Sequence, residues 1–279
     1  MKRSTQREVA KQTVEIVERG SYESPGGRVI DIAESVRECL GGTRLFSPED
    51  LEALRRTVLD CATAGVTTAL EVVNETTLAG VARLLADGPG PVAALNFASA
   101  RNPGGGFLNG SQAQEESLAR SSALYASLLK AGSFYDRHRA SPSLLYSDAM
   151  IRSPGCPIFR GDDGTLLEQP HRATFLTSPA PNAGAAADHR PGELPLIPET
   201  LRKRAEYVLA LAAAHGETRL VLGAWGCGVF RNDPAVVAAA FAGHLRGGAW
   251  AGRFDRVVFS VLDASPGRET LAAFARAYA

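Results

Sequence analysis

Apolar and polar positions alternate between two periods along this chain. Val9, Val14, Ile16 and Val17 fall roughly on one side of residues 4–18, which predicts an amphipathic helix. SPGG (24–27) marks a turn, and GRVIDIA (27–33) reads as a short strand running into a loop. SPEDLEALRRTVLDCATAG (47–65) carries a helix start, with Ser47 as N-cap, Pro48 in the first turn, Asp50 three residues on, and Gly65 past the end. The β-branched run VTTALEVVN (66–74) predicts a strand, and ETTLAGVARLLADG (75–88) returns to helical spacing. PVAALNFAS (91–99) is a short apolar run between turn signals, as in a buried strand. LARSSALYASLLKAG (118–132) predicts a helix stopping at Gly132, and RATFLTSPAP (172–181) a strand entering a loop. A helix over 199–215, a strand over 218–225, a helix over 233–245 with Asp233 as N-cap and Pro234 at its first position, a strand over 254–263 and a helical end complete the pattern.

Strands alternating with helices argue for an α/β three-layer domain with a mostly parallel sheet. No internal repeat and no clean linker divides the chain, so one domain is expected. The stretch at 178–198 is rich in Pro, Gly and Ala, and a loop of that length is functional, for example a lid, or disordered. Apolar residues make up 45% and charged residues 22% of 279, near the globular average. Lys+Arg and Asp+Glu balance at 30 each, which argues against a general nucleic-acid or anionic-membrane binder but leaves room for a local basic cleft. Cys39, Cys61, Cys156 and Cys227 form no CxxC pair, so neither a zinc ribbon nor a disulfide framework is indicated and a reducing cytoplasm fits. The polar N-terminus has no signal-peptide core, and no apolar run reaches membrane-span length. The five histidines show no paired-ligand spacing; surface or loop positions are expected for most of them, and no metal.

Two strand-to-helix junctions carry the candidate chemistry. In RNPGGGFLNGSQAQEESLARSS, Gly104, Gly105 and Gly106 precede Gln114, Glu115 and Glu116. A glycine triplet is costly to order, and neighbouring carboxylates repel. Ser111 and Gln114 have capping-box spacing, with the glutamates in the first helical turn. Ligands of open α/β sheets bind at the C-terminal ends of strands, where glycines let a ligand approach and turn N–H groups toward anions. The plainer reading is a tight turn whose glutamates complement the helix dipole; the two features together favour function. Adjacent on a helix, the glutamates point about 100° apart, so they have different tasks. One could hold a sugar hydroxyl while the other faces a scissile bond. The helix N-terminus lowers a carboxyl pKa, so burial and the neighbouring carboxylate must outweigh it for one to act as an acid.

The second junction is GAWGCGVFRNDP, Gly223 to Pro234. It is no Rossmann fingerprint, because Arg231 stands at the third glycine position, and no P-loop, because no GK[ST] follows. Gly223, Gly226 and Gly228 suit a backbone wrapped around a diphosphate, with Phe230 stacking on a ribose or base. Cys227 reads as a small residue packed under the loop. Trp225 either walls the site or packs, Trp250 packs, RKRAEY (202–207) is a solvated helix side, and Asp136 to Arg139 a charged surface.

GGG followed, after seven residues, by QEE resembles the signature of poly(ADP-ribose) glycohydrolases, and GAWGCGVF is similar to their second phosphate loop. NFASARNPGGG (96–106) and VVNETTL (72–78) fit the order of a macrodomain, and the compact chain is most similar to the bacterial type. The resemblance covers roughly residues 66–263. It implies a macrodomain-like α/β/α fold with a mixed, mostly parallel sheet over 66–279 and an N-terminal helical accessory region over 1–65. It implies Glu116 as the catalytic acid and Glu115, with Asn102, on the distal ribose. Gly104, Gly105 and Gly106 would line the diphosphate and distal ribose, next to Gln114. Gly226, Cys227, Gly228 and Val229 would hold the diphosphate through N–H groups, Phe230 the proximal ribose, and Asn74 and Glu75 the adenine. Phe259 is a candidate adenine stacker, with Val261 or Leu262 as alternatives for the position. The implied reaction is hydrolysis of the ribose–ribose bond of poly(ADP-ribose), end-wise, without metal or cofactor. ADP-ribosylated proteins are the implied substrates, and reversal of ADP-ribosylation in the DNA damage response the implied role of a cytoplasmic monomer. An ADP-ribose reader of the same fold and a hydrolase of mono-ADP-ribose linkages are the alternatives.

Overall fold

The architecture is that of a computed structural model, which describes residues 2–62 and 65–279. The strands are β1 (Ser21–Glu23), β2 (Val29–Asp31), β3 (Arg44–Phe46), β4 (Ala69–Val73), β5 (Val92–Phe97), β6 (Met150–Arg160), β7 (Leu166–Ser178), β8 (Arg219–Leu222) and β9 (Arg256–Ser260). The helices are α1 (Arg3–Arg19), α2 (Ala33–Gly42), α3 (Pro48–Asp60), α4 (Thr77–Ala86), α5 (Gln114–Ser121), α6 (Leu124–Leu129), α7 (Gly132–Ala140), α8 (Ala183–His189), α9 (Ile197–Ala214), α10 (Pro234–Leu245) and α11 (Glu269–Tyr278). β1 and β2 pair as a hairpin, and seven strands form one sheet in the order β3-β6-β7-β5-β8-β9-β4. β7, β5, β8, β9 and β4 run parallel, while β6 and β3 are antiparallel additions at one edge.

Strand residues alternate between two cores, as a period of two requires. Leu95, Leu176, Val257 and Phe259 face a cluster that includes Leu201 and Val208 of α9, Phe241 of α10 and Phe274 of α11. Ala94, Phe175, Val221 and Val258 face the other side, with Leu78 and Val81 of α4, Leu118 of α5 and Leu124 and Leu128 of α6. A sheet covered on both faces needs continuous apolar strands, which is why VAALNF and RVVFS carry so few polar residues. α3 begins on the expected capping box: Asp50 N donates to Ser47 Oγ and Ser47 N to Asp50 Oδ2. It ends at Asp60, short of the expected 65; positions 63 and 64 lie outside the described residues.

Several expectations are corrected. The loop expected after 33 is α2. The helix expected over 118–132 breaks at Ser122, whose extended backbone bridges to Ile158, and Gly132 opens α7 instead of ending a helix. The β6–β7 hairpin was not read, because Pro154, Gly155 and Pro157 punctuate β6, where the register shifts between Ser153 and Cys156. Residues 178–198 contain α8 and a 3-10 turn over Pro191–Leu196. His138 and His244 are buried, whereas His189 and His215 are exposed and His171 is half-buried, as expected for most of the five. Within the run taken as a solvated helix side, Arg204 is buried against Asp148 at 2.7 Å. The region 1–65 also supplies β3 to the main sheet. Among the described residues no helix is long and apolar enough to cross a membrane.

α1 packs across the glycine loop and the helix that the loop feeds. Thr13 Oγ1 donates to Arg120 O at 2.6 Å, and Arg3 and Arg7 donate through Nε to Asn109 O. Gly110, at φ +76°, lies so close that a Cβ there would stand 2.4 Å from Arg3 O. Gly27 has the same φ and no atom within 4 Å of such a Cβ. Gly27→Ala should therefore cost only the left-handed backbone term, about 1–2 kcal/mol, and Gly110→Ala clearly more. Denaturant unfolding of both variants checks this, and equal losses would show that α1 is not pressed against the loop.

Candidate active site

The loops following the parallel strands gather at one end of the sheet. After β5 the chain turns through Gly104 at φ +66° and Gly105 at φ +59°, conformations that suit glycine. A side chain at Gly105 is excluded for a second reason: its Cβ would lie 2.4 Å from Glu116 Oε1 and 3.3 Å from Glu115 Oε2. Both carboxylates thus converge on one glycine, although they sit at adjacent helical positions. Asn102 opens the loop, exposed, with its carbonyl accepting from Gly105 N.

The two glutamates are held differently. Glu115 is 2% exposed and accepts from Ser99 N at 2.7 Å and Asn96 Nδ2 at 3.1 Å. Burial nevertheless pushes its pKa up to about 8, with the Glu116 charge adding to the rise and the Ser99, Asn96 and Gly104 donors opposing it. Glu116 is 9% exposed and accepts from Gly106 N at 3.0 Å. So near pH 7 burial favours the protonated form of Glu115. The expected capping box is not formed: Ala113 is the N-cap, without a side-chain bond. Gln114 instead straps α5 to the edge of β5, accepting from Phe97 N and donating to Leu95 O and Thr77 Oγ1.

The second glycine loop leaves the adjacent strand β8. Gly226, at φ +72°, has no room for a Cβ, which would meet Ala180 Cβ and Asn232 Nδ2 at 2.5 Å. Asn232 Nδ2 ties the loop to Pro181 O. Trp225 is buried and donates to Ser178 O, so it packs. Gly228 has open space around it and Val229 is exposed, so this part of the loop is free for a ligand. Burial pushes the Cys227 thiol up to about 12, which suits a packing residue and not a nucleophile. Phe230 is half-buried beside Tyr146, ring centroids 6.1 Å apart.

At the far side the expected adenine contacts are engaged within the chain. The Asn74 amide makes reciprocal bonds with the Asp263 backbone, and Glu75 pairs with Arg83 at 2.7 Å and accepts from Ser260 Oγ. Phe259 is fully buried and stacks on Tyr278 at 4.3 Å, so it does not reach a ligand; Val261 is buried and Leu262 is 67% exposed. Asn96 and Thr177, which back Glu115, were not read from the sequence; a lone Asn inside PVAALNFAS was the available signal. No group of three His, Cys, Asp or Glu that could hold a metal occurs among the described residues.

Comparison with known proteins fits this geometry. Residues 10–161 match the family model for the microbial-type PARG catalytic domain. The chain is similar to the crystal structure of poly(ADP-ribose) glycohydrolase from Thermomonospora curvata, with 55% identity, TM-score 0.94, and 98% of this chain and 99% of that one covered. It is also similar to that enzyme bound to the inhibitor ADP-HPD, at 54% identity over 98% and 99% with TM-score 0.91. The Deinococcus radiodurans enzyme in complex with ADP-ribose matches at 48% identity and TM-score 0.83, covering 89% of this chain and 98% of that one. No match was found among curated proteins. With these neighbours the sheet and its flanking helices are a macrodomain-like fold.

The raised pKa of Glu115 has a stability consequence. From about pH 4.5 to about 8 the folded chain holds a proton that the unfolded chain has released, so this contribution is full at low pH and is lost as pH rises through the window. Glu115→Gln, which cannot ionise, should gain stability relative to the wild type as pH rises across that window. Unfolding free energies measured at both ends check it; a constant difference would mean that Glu115 titrates normally.

Proposed function

The chain belongs to the microbial-type poly(ADP-ribose) glycohydrolase family, and we propose that it hydrolyses the ribose–ribose O-glycosidic bonds of poly(ADP-ribose), releasing ADP-ribose from chain ends. The observation that carries this reading is the convergence of two buried carboxylates on Gly105, beside a second, open glycine loop. A reader domain needs the loops but not the acid pair, whose burial costs free energy that its hydrogen bonds must offset.

In this reading the diphosphate lies against the backbone of Gly104 to Gly106 and of Gly226 to Val229, with Phe230 against the proximal ribose. Glu115 and Asn102 take the hydroxyls of the distal ribose. Glu116, the more exposed residue of the two, protonates the leaving 2′-oxygen. The distal ribose becomes an oxocarbenium-like ion, which the neighbouring diphosphate helps to stabilise. Glu116, now ionised, takes a proton from the attacking water. One glutamate with help from the substrate replaces the usual carboxylate pair of glycosidases. The side chains of Asn74 and Glu75 are already paired, so adenine recognition falls to backbone atoms there and to exposed Leu262. α8 bonds to the phosphate loop through Gly184 N and Phe230 O and through Asp188 and Arg231, which supports a walled, end-wise site. The wider role is removal of ADP-ribose from modified proteins in the DNA damage response, by a cytoplasmic monomer. The unpaired cysteines and balanced charge fit that setting.

Purified poly(ADP-ribose) provides the test. The wild type should release ADP-ribose, and Glu116→Gln should lose about 10²–10⁴-fold in turnover while still binding ADP-ribose by calorimetry. Full activity in the variant removes Glu116 from the role. Binding without polymer cleavage in the wild type favours the reader, or a hydrolase of mono-ADP-ribose linkages.

A further inference from the structure

Tyr146 stands in the loop between α7 and β6 with its backbone at φ +60°, a left-handed conformation that a bulky side chain rarely adopts. Arg231, which directly follows Phe230 of the second glycine loop, shares it at φ +55°. The two rings set by these positions, Tyr146 and Phe230, lie 6.1 Å apart between centroids at an interplanar angle of 41°. Backbone outliers of this kind persist only where the surroundings hold them, and they cluster at ligand sites.

Tyr146 is held from both sides. Ser147 N donates to His138 Nε2 at 3.1 Å, and Ser147 Oγ lies 2.8 Å from the same nitrogen. His138 is fully buried, and its ring meets the Tyr146 ring edge-on at 5.8 Å. On the other side Leu144 N donates to Glu193 Oε2 and Leu144 O accepts from Asn182 N, each at 2.9 Å. This frame fixes the ring and leaves its hydroxyl unused. Tyr146 is half-buried, and its Oη finds no hydrogen-bond partner among the described residues, yet it is not one of the buried atoms left without one, so solvent reaches it. Packing alone needs neither a free phenol nor a left-handed backbone, which Gly or Asn would adopt at less cost.

The loop also stands in the right place. β6 begins beside the C-terminal end of β7, with Ile151 opposite Thr177, so the residues before it reach the end of the sheet where the glycine loops gather. Asn74 and Glu75 follow β4, and four strands separate β4 from β6. A ligand with its adenine near β4 and its diphosphate over the loops after β5 and β8 therefore points its remaining sugar toward Tyr146.

We propose that Tyr146 is a substrate-contact residue: its ring continues the wall begun by Phe230, and its hydroxyl hydrogen-bonds an oxygen of the distal ribose. A phenol both donates and accepts, which suits a sugar hydroxyl. Adenosine and diphosphate lie outside its reach, so Tyr146 recognises ADP-ribose as distinct from ADP. The proposal rests on the reading of this end of the sheet as an ADP-ribose site, and not on cleavage.

Calorimetry with ADP-ribose and with ADP, on the wild type, Tyr146→Phe and Tyr146→Asn, provides the test. Phe keeps the ring without the hydroxyl, and Asn suits the left-handed backbone without the ring. Tyr146→Phe should bind ADP-ribose about threefold to tenfold more weakly and ADP as the wild type does; Tyr146→Asn should lose more on ADP-ribose. On polymer, the KM of Tyr146→Phe should rise with kcat near wild type, as for a contact made equally in the ground and transition states. Wild-type ADP-ribose affinity in Tyr146→Phe overturns the proposal. So does an equal loss on ADP and ADP-ribose, which marks a mere prop for Phe230. A wild type that binds neither ligand removes the proposal together with the reading it rests on. The expected binding losses in a chain that never cleaves polymer uphold Tyr146 and remove the glycohydrolase reading.

Discussion

The missing side chain of Gly105 is the space into which the acid pair fits. A Cβ there would lie 2.4 Å from one carboxylate and 3.3 Å from the other, and the backbone stands at φ +59°. Much of the surrounding structure holds that approach in place. Gln114 fastens the start of α5 to β5. Thr13 and Arg160 bond the carbonyl of Arg120 at its far end, and Arg3 and Arg7 hold the end of the glycine loop through Asn109. The N-terminal helix is thus part of the site's scaffold, not an appendage to it.

Electrostatics then follows from burial. α5 has its N-terminus at the acids, and a helix N-terminus favours ionised carboxylates. For Glu115 the loss of water outweighs that and the three donors around it. The Glu116 charge adds to the rise at Glu115, so a further anion brought near acts in the same direction. A diphosphate brought to the loops would raise the proton affinity of Glu115 further. Substrate binding and protonation are therefore linked by charge alone, before any movement of the chain.

Much of this was legible in the sequence, for local reasons. Ser47, Asp233 and the apolar strand runs signal through neighbours within a few residues, and the elements they predict are present. The glycine triplet and QEE announced the site because glycine and carboxylate are costly together unless used. What could not be read depends on distant partners. Asn74 is committed to Asp263, 189 positions away, and Glu75 to Arg83 and Ser260. Gln114 fits a capping box by spacing but finds a better acceptor and donor on β5. The glutamates, about 100° apart as helical directions, still meet because the loop comes to them. The Pro–Gly run of β6 hid a strand whose pairing is set by β7.

The most direct check on this account is a crystal structure of the chain with ADP-ribose bound. The diphosphate should lie between Gly104–Gly106 and Gly226–Val229, with a Glu116 oxygen within hydrogen-bond distance of the oxygen on the distal anomeric carbon and Glu115 on a ribose hydroxyl. A distal ribose presented to Glu115 instead, with Glu116 turned away, would contradict it.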